Sequence, residues 1–116
     1  LGVLRDTSPK WMAAVAAVGE LCSSRIVAGA LTSRGVPASW VDARAVMVTS
    51  DEYTAAAPLM DETRTRVRAA VAPLAERGLV PVIGGFVGAT RSGVTTTLGR
   101  GGSDYSASIV GACIGA

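Results

Sequence analysis

A stretch near the end of the chain, TTTLGRGGSDYSAS, holds residue types suited to binding a small anion. Gly101 and Gly102 permit a tight turn without side chains, after which Ser103 or Asp104 can cap a helix. The backbone N–H groups at such a helix start attract anions, and Arg100 adds a planar guanidinium that fits a carboxylate or a phosphate. The stretch therefore indicates either a capped helix beside a solvated arginine, or a binding site in which the acid orients cationic groups.

A carboxylate in the middle of an apolar run is the second candidate site residue. Between Trp11 and Ser33 only Glu20 and Arg25 are charged. A buried carboxylate costs free energy unless it is paired. Its partner could be Arg25 or another arginine, or it could be the ammonium group of a ligand. A ligand with both an ammonium and a carboxylate group would suit Glu20 and Arg100 together, and such a ligand is an amino acid.

Two common nucleotide-binding patterns are excluded. Residues 88–95, GATRSGVT, nearly match the phosphate loop GxxxxGK[ST], but Val94 stands where the loop needs its lysine. In GRGGSD, Asp104 occupies the third glycine position of GxGxxG, where an acid would repel a pyrophosphate. The chain has no histidine, which excludes histidine-based triads, metal sites and proton shuttles.

Composition limits the chain to one small globular domain. Its 116 residues are 49% hydrophobic, 17% charged and only 4% aromatic, with a net charge of +2. The basic residues are scattered, so we expect no nucleic-acid partner. No uninterrupted apolar run is long enough to predict a membrane span, and the first residues do not form a signal peptide. Cys22 and Cys113 lie among apolar residues, which predicts two buried free thiols.

The order of elements predicts an α/β fold with a mostly parallel sheet. A helix is expected from about Lys10 to Arg34, since Thr7 or Ser8 can cap its start, Pro9 suits its first position and Gly35 can end it. Because this helix is apolar on all sides, we expect it to be buried. A short strand, ASWVDA, follows Pro37, and a second helix carries Val67 and Val71 on its inner face. LVPVIGGFVGA is predicted to be one strand covered on both faces. An extended return, VTTTL, and a final helix from Ser103 complete the chain.

The segment GGFVGATRSGVTTTLGRGGSDYSAS, residues 84–108, resembles the aspartate kinases of the amino-acid kinase family. GELCSS, residues 19–24, is similar to the second signature of that family, and WVDAR and AERGLVPV resemble further segments in the same order. The resemblance covers nearly the whole chain from about Pro9. It implies a three-layer αβα sandwich around a mainly parallel sheet.

The resemblance also implies a reaction, in which Mg-ATP phosphorylates the β-carboxylate of L-aspartate. This is the first step toward lysine, threonine and methionine, in a cytoplasmic enzyme. Glu20 would hold the ammonium group of the substrate, Phe86 would line its pocket, and Asp104 would orient phosphate-handling lysines. The remaining implied residues bind the substrate carboxylate (Arg100, Gly101, Gly102 and Ser103) or lie near the phosphate (Thr95, Thr96 and Thr97).

The chain departs from the family pattern in what it lacks. The family has a Lys-Phe-Gly-Gly-type segment and a later nucleotide-holding segment with a second lysine, and the single lysine of this chain, Lys10, matches neither. We therefore expect residues 1–116 to be the aspartate-binding middle of a catalytic domain, without catalytic turnover by itself and prone to self-association. Two alternatives stay open: a non-catalytic amino-acid-binding or self-associating module, and a related kinase that acts on another small anionic acceptor.

Overall fold

A computed structural model describes residues 8–99 and 102–115 of the chain. These residues form helices and strands in the order α1, β1, α2, α3, β2, β3, β4 and α4. Their bounds are α1 Pro9–Ser33, β1 Ala38–Val41, α2 Ala43–Val46, α3 Met60–Glu76, β2 Val80–Ile83, β3 Val87–Ala89, β4 Thr95–Thr97 and α4 Gly102–Ile114.

Local capping signals set the ends of α1, as the sequence predicts. The Ser8 hydroxyl accepts a hydrogen bond from the Trp11 N–H at 3.2 Å, which satisfies one of the free donors of the first turn. Pro9 occupies the first helical position, where its missing N–H has no consequence. The helix ends before Gly35, whose φ of 86° suits glycine. The predicted span of this helix is therefore confirmed.

The expectation that α1 is buried on all sides is wrong. Its inner face consists of small side chains (Ala13, Ala17, Ser24 and Ala28), and these are the residues that pack against the strands. On the opposite side lies a row that we name the outer stripe, formed by Trp11, Val15, Val18, Cys22 and Ile26, and all five are exposed. Small residues let the helix approach the strands closely, so only one face finds a partner in the described part of the chain. Both cysteines are free thiols, but only Cys113 is buried.

Helix α1 is also long and apolar enough to cross a membrane, judged by length and composition alone. Core helices of soluble proteins pass the same test, and α1 packs on the strands through its inner face. The finding is weak support for a span, and the absence of a membrane partner stays a prediction.

The predicted single strand LVPVIGGFVGA is in fact two strands. β2 pairs in parallel with β1, with Trp40 opposite Val82, whereas β3 pairs antiparallel with β4, with Gly88 opposite Thr96. The break falls at residues 84–86, where α1 and α4 approach the backbone too closely for a regular strand to continue with side chains. The predicted extended return is confirmed as β4.

Helices α3 and α4 pack together on the opposite side of the strands from α1. Their core contains Val67, Val71, Ile109 and Cys113, which meet Val41 of β1. A smaller core joins Ala17 of α1 to the strands on the other side. The result is the predicted αβα arrangement, with the carboxyl end of β2 opening between the two helical layers.

Candidate functional site

A cleft of about 660 Å³ runs along α4 from its first turn at Ser103 to Ile114, and α1, α3 and the end of β2 form its other walls. Glu20 contributes the acidic group, Gly84 and Gly85 contribute bare backbone, and Ser103 contributes a hydroxyl. The remaining wall is mainly apolar and includes Met47, Val71, Ile83 and Val110. The cleft therefore brings a carboxylate, a glycine turn and a helix start into one space, which matches the needs of a small polar ligand.

The two glycines of the cleft are required by close backbone packing. A Cβ atom at Gly84 would lie 3.2 Å from the Glu20 carbonyl oxygen and 3.1 Å from the Ser24 hydroxyl. A Cβ atom at Gly85 would lie 3.0 Å from the Ser103 Cα atom. The glycine turn thus fits directly between the helix that carries Glu20 and the helix that carries Ser103.

Phe86 completes this turn in an unusual backbone conformation. Its φ is 74°, a left-handed value that is costly for a residue with a side chain. The ring lies against Gly102, where an added Cβ atom would come within 2.8 Å of the ring carbon Cδ1. Gly102 is buried, so it makes room for Phe86 at the first turn of α4.

Comparison with known proteins identifies the family of this chain. Residues 4–116 match the amino acid kinase family. This chain belongs to that family. Lysine-sensitive aspartokinase 3 of Escherichia coli is 38% identical to it over 104 residues, which are 90% of this chain and 23% of the relative. An aspartokinase of Thermus thermophilus is 37% identical over 98 residues, covering 84% of this chain and 23% of the relative.

The fold agrees with solved members of the amino acid kinase family. Crystal structures of E. coli aspartokinase III superpose with a TM-score of 0.89 at 37% identity, and the match covers 96% of this chain and 25% of theirs. One of those structures contains aspartate and ADP, and another contains lysine and aspartate. The chain spans about a quarter of the length of these relatives.

The structure brings two of the predicted site residues of this family member into the cleft, namely Glu20 and Ser103. Asp104 follows Ser103 on the first turn of α4, and its side chain is exposed. Phe86 is half-buried and does not line the cleft itself, but it follows directly after Gly85, which does. The predicted residues Arg100 and Gly101 lie outside the described residues.

The three threonines predicted near the phosphate differ in what they can contact. Thr95 is half-buried, whereas Thr96 is completely buried and its hydroxyl lies 2.7 Å from that of Thr49. Thr97 is also buried, and its hydroxyl donates to the Tyr53 carbonyl. The hydroxyls of Thr96 and Thr97 are thus occupied by internal partners, on opposite faces of β4. The phosphate proximity of all three threonines stays a prediction.

The internal partner proposed for Glu20 is engaged elsewhere. The Arg25 guanidinium lies over the Trp40 ring, 4.7 Å from its centroid, in a cation–π contact. The Trp40 indole N–H donates to the Ser24 hydroxyl at 2.8 Å, behind Gly84. Among the described residues Glu20 forms no ion pair, which leaves its carboxylate available to a ligand. Sequence reasoning missed Trp40, although Ser24 belongs to the GELCSS segment.

Three other acids among the described residues, Asp42, Asp61 and Glu62, have arginine partners. The hydrogen bond from the Arg44 side chain holds the pKa of Asp42 below its usual value, at the end of β1. A bidentate hydrogen bond from Arg91 likewise lowers the pKa of Glu62, at the start of α3. Both arginines are thus committed to carboxylates away from Glu20. The walls of the Glu20 cleft contain no lysine or arginine among the described residues.

Proposed function

We propose that this chain is the aspartate-binding part of an aspartate kinase. In the complete reaction, the β-carboxylate of L-aspartate attacks the γ-phosphorus of ATP, the bond between that phosphorus and the β,γ-bridging oxygen breaks, and ADP leaves. The products are aspartyl phosphate and ADP. The observation that carries the proposal is the cleft shared by Glu20 and Ser103, in a chain related to enzymes that bind aspartate and ADP.

The proposed roles follow from the charges of L-aspartate. Glu20 holds the ammonium group, Ser103 and the N-terminus of α4 hold a carboxylate, and Arg100 with Gly101 adds to that carboxylate site. Phe86 supports the pocket next to Gly85, and Asp104 orients cationic groups at the entrance. Thr95, Thr96 and Thr97 are proposed to lie near the phosphate, and Thr95 is the one whose hydroxyl has no internal partner among the described contacts.

ATP and Mg²⁺ are proposed as the cofactors of the whole enzyme, in the cytoplasm. The described residues contain no cluster of three metal-ligating side chains. Mg²⁺ bound to nucleotide phosphates needs only one or two carboxylates from the protein, and the exposed Asp104 is compatible with that requirement. The ion supplies charge neutralisation when the nucleotide is bound.

The proposal is tested by measuring aspartate binding and catalytic turnover in two separate experiments. Titration of the 116-residue chain with L-aspartate in a calorimeter should give saturable binding. Coupled ADP release with aspartate and Mg-ATP should stay far below ordinary kinase rates of ~1–100 per second. We expect this low rate because the cleft has no lysine to handle the phosphate. The one lysine of the chain, Lys10, lies on the first turn of α1.

Three outcomes would contradict the proposal. A chain that folds but does not bind L-aspartate is not an aspartate-binding unit. Tighter binding of L-glutamate or of a nucleoside monophosphate would favour a related kinase with another acceptor. Turnover within about tenfold of ordinary kinase rates would contradict the expected inactivity of residues 1–116.

We also propose that a second copy of this chain covers the outer stripe of α1. The stripe runs over about four helical turns and includes Trp11, 52% exposed, and Ile26, 71% exposed. Two identical stripes can pack against each other about a two-fold axis, which buries both apolar faces at once. Exposed apolar rows of this kind favour association.

Replacing Val15 in the stripe by glutamate should therefore reduce self-association. Light scattering of the wild-type chain at rising concentration should give a mass above the 11.7 kDa monomer, and Val15→Glu should return it toward that mass. The matched control is Ala16→Glu, one residue further along and also exposed, but rotated about 100° away from the stripe. A monomeric wild-type mass at high concentration, or equal effects of the two variants, would contradict the stripe as an interface.

A further inference from the structure

Ser106 is a buried hydroxyl that the proposed roles leave unused. It lies on α4 with 6% of its surface exposed, and it borders the Glu20 cleft. Its Oγ atom accepts a hydrogen bond from the Phe86 N–H at 3.0 Å. Phe86 is the residue with the left-handed backbone at the end of the glycine turn.

The Phe86 peptide groups are fixed on both sides. Ser106 accepts the hydrogen bond of the Phe86 N–H, and the Phe86 carbonyl accepts a bond from the Leu98 N–H at 2.9 Å. The ring is confined by Gly102, as described above. A left-handed backbone is strained for a residue with a side chain and persists only where its surroundings determine it from several sides. Ser106 supplies the one side-chain hydrogen bond to this turn among the described residues.

We infer that Ser106 is a positioning residue for the ligand of the Glu20 cleft. Its hydroxyl holds Phe86 in the left-handed conformation, and that conformation sets Gly84 and Gly85 between Glu20 and Ser103. The distance between the ammonium end and the carboxylate end of the site therefore depends on a group that does not itself bind the ligand's charges. This inference rests on the proposed function, because it takes L-aspartate as the ligand.

Removing only the oxygen should loosen the turn without harming the helix, because alanine is a good helix former. In Ser106→Ala we expect the Phe86 amide to exchange with solvent at least ~10-fold faster, measured by NMR. L-aspartate should bind ~5- to 10-fold more weakly in calorimetry, the effect of about one hydrogen bond. Ser106→Thr keeps the hydroxyl and should restore both values to within about threefold of wild type.

The matched control is Ser108→Ala on the same helix, since the exposed Ser108 hydroxyl bonds only the Asp104 carbonyl. It should leave both values unchanged. If Ser106→Ala fails to unfold cooperatively in urea, Ser106→Cys, with a weaker acceptor of similar shape, takes its place. Unchanged aspartate affinity despite faster Phe86 exchange would overturn the positioning role alone. Wild-type protein that does not bind aspartate would overturn the proposed function and the role together.

Discussion

Replacing Glu20 by glutamine should weaken L-aspartate binding about 10- to 100-fold, the loss expected when a charged hydrogen bond becomes a neutral one. Glutamine keeps the size and shape of the side chain, so the glycine turn next to it should not move. The ligand pair that isolates the effect is L-aspartate and succinate, which has the same two carboxylates and no ammonium group. Succinate should bind Glu20→Gln at least as well as it binds the wild type, because the repulsion from the carboxylate is gone.

The control for the charge change is Glu76→Gln, at the exposed carboxyl end of α3 and away from the cleft. It should leave the affinities of both ligands unchanged in calorimetry. If Glu20→Gln weakens aspartate and succinate equally, the carboxylate supports the structure of the cleft and does not bind an ammonium group. Comparing the two ligands directly tests whether aspartate is oriented with its ammonium group toward Glu20.

Local signals explain which elements could be predicted from the sequence. Ser8, Pro9 and Gly35 each act on their immediate backbone, so they fixed the ends of α1 without knowledge of the rest of the fold. The strand after Pro37 and the helix with Val67 and Val71 on its inner face were similarly readable from short-range pattern. The order of these elements predicted an α/β fold, and the resemblance to the amino-acid kinase family implied its αβα layers.

Contacts between distant segments explain what could not be predicted. The strand break at residues 84–86 depends on the approach of α1 and α4, which lie about 60 residues before it and 20 residues after it. The exposed outer stripe is as apolar as a buried one, and the small size of the inner residues decided which face packs. Hydropathy alone therefore does not predict which face of α1 packs against the strands.

The candidate site likewise has features that residue types predict and features that depend on distant contacts. The type of each polar residue indicated an amino-acid ligand, and Glu20 and Ser103 do line one cleft. Which hydroxyls remain available depends on strand pairing, since the bond between Thr96 and Thr49 joins residues 47 positions apart. The hydrogen bond from the Phe86 N–H to the Ser106 hydroxyl could not be predicted either, because no sequence pattern indicates a phenylalanine with a left-handed backbone.

Gly88 lies where these distant contacts are tightest, and Gly88→Ala should lower the free energy of unfolding by about 1–3 kcal/mol. Its added Cβ atom would lie 2.7 Å from the Thr49 methyl carbon and 2.8 Å from the Met47 carbonyl oxygen. Neither neighbour can move freely, since that carbonyl accepts the Ala89 N–H and Thr49 is bonded to Thr96. Urea denaturation of the dilute chain measures the change.

The matched variant is Gly19→Ala, which adds the same methyl group where nothing lies within 4 Å. Because Gly19 is inside α1, alanine there should stabilise the protein by about 0.5–1 kcal/mol through reduced backbone entropy of the unfolded chain. The two variants gain the same unfolded-state benefit, so the difference between their urea midpoints reports the packing of β3 alone. Equal midpoints would mean that the backbone of β3 does not approach Met47 and Thr49 as closely as described, and the pairing that buries Thr96 would then have to be revised.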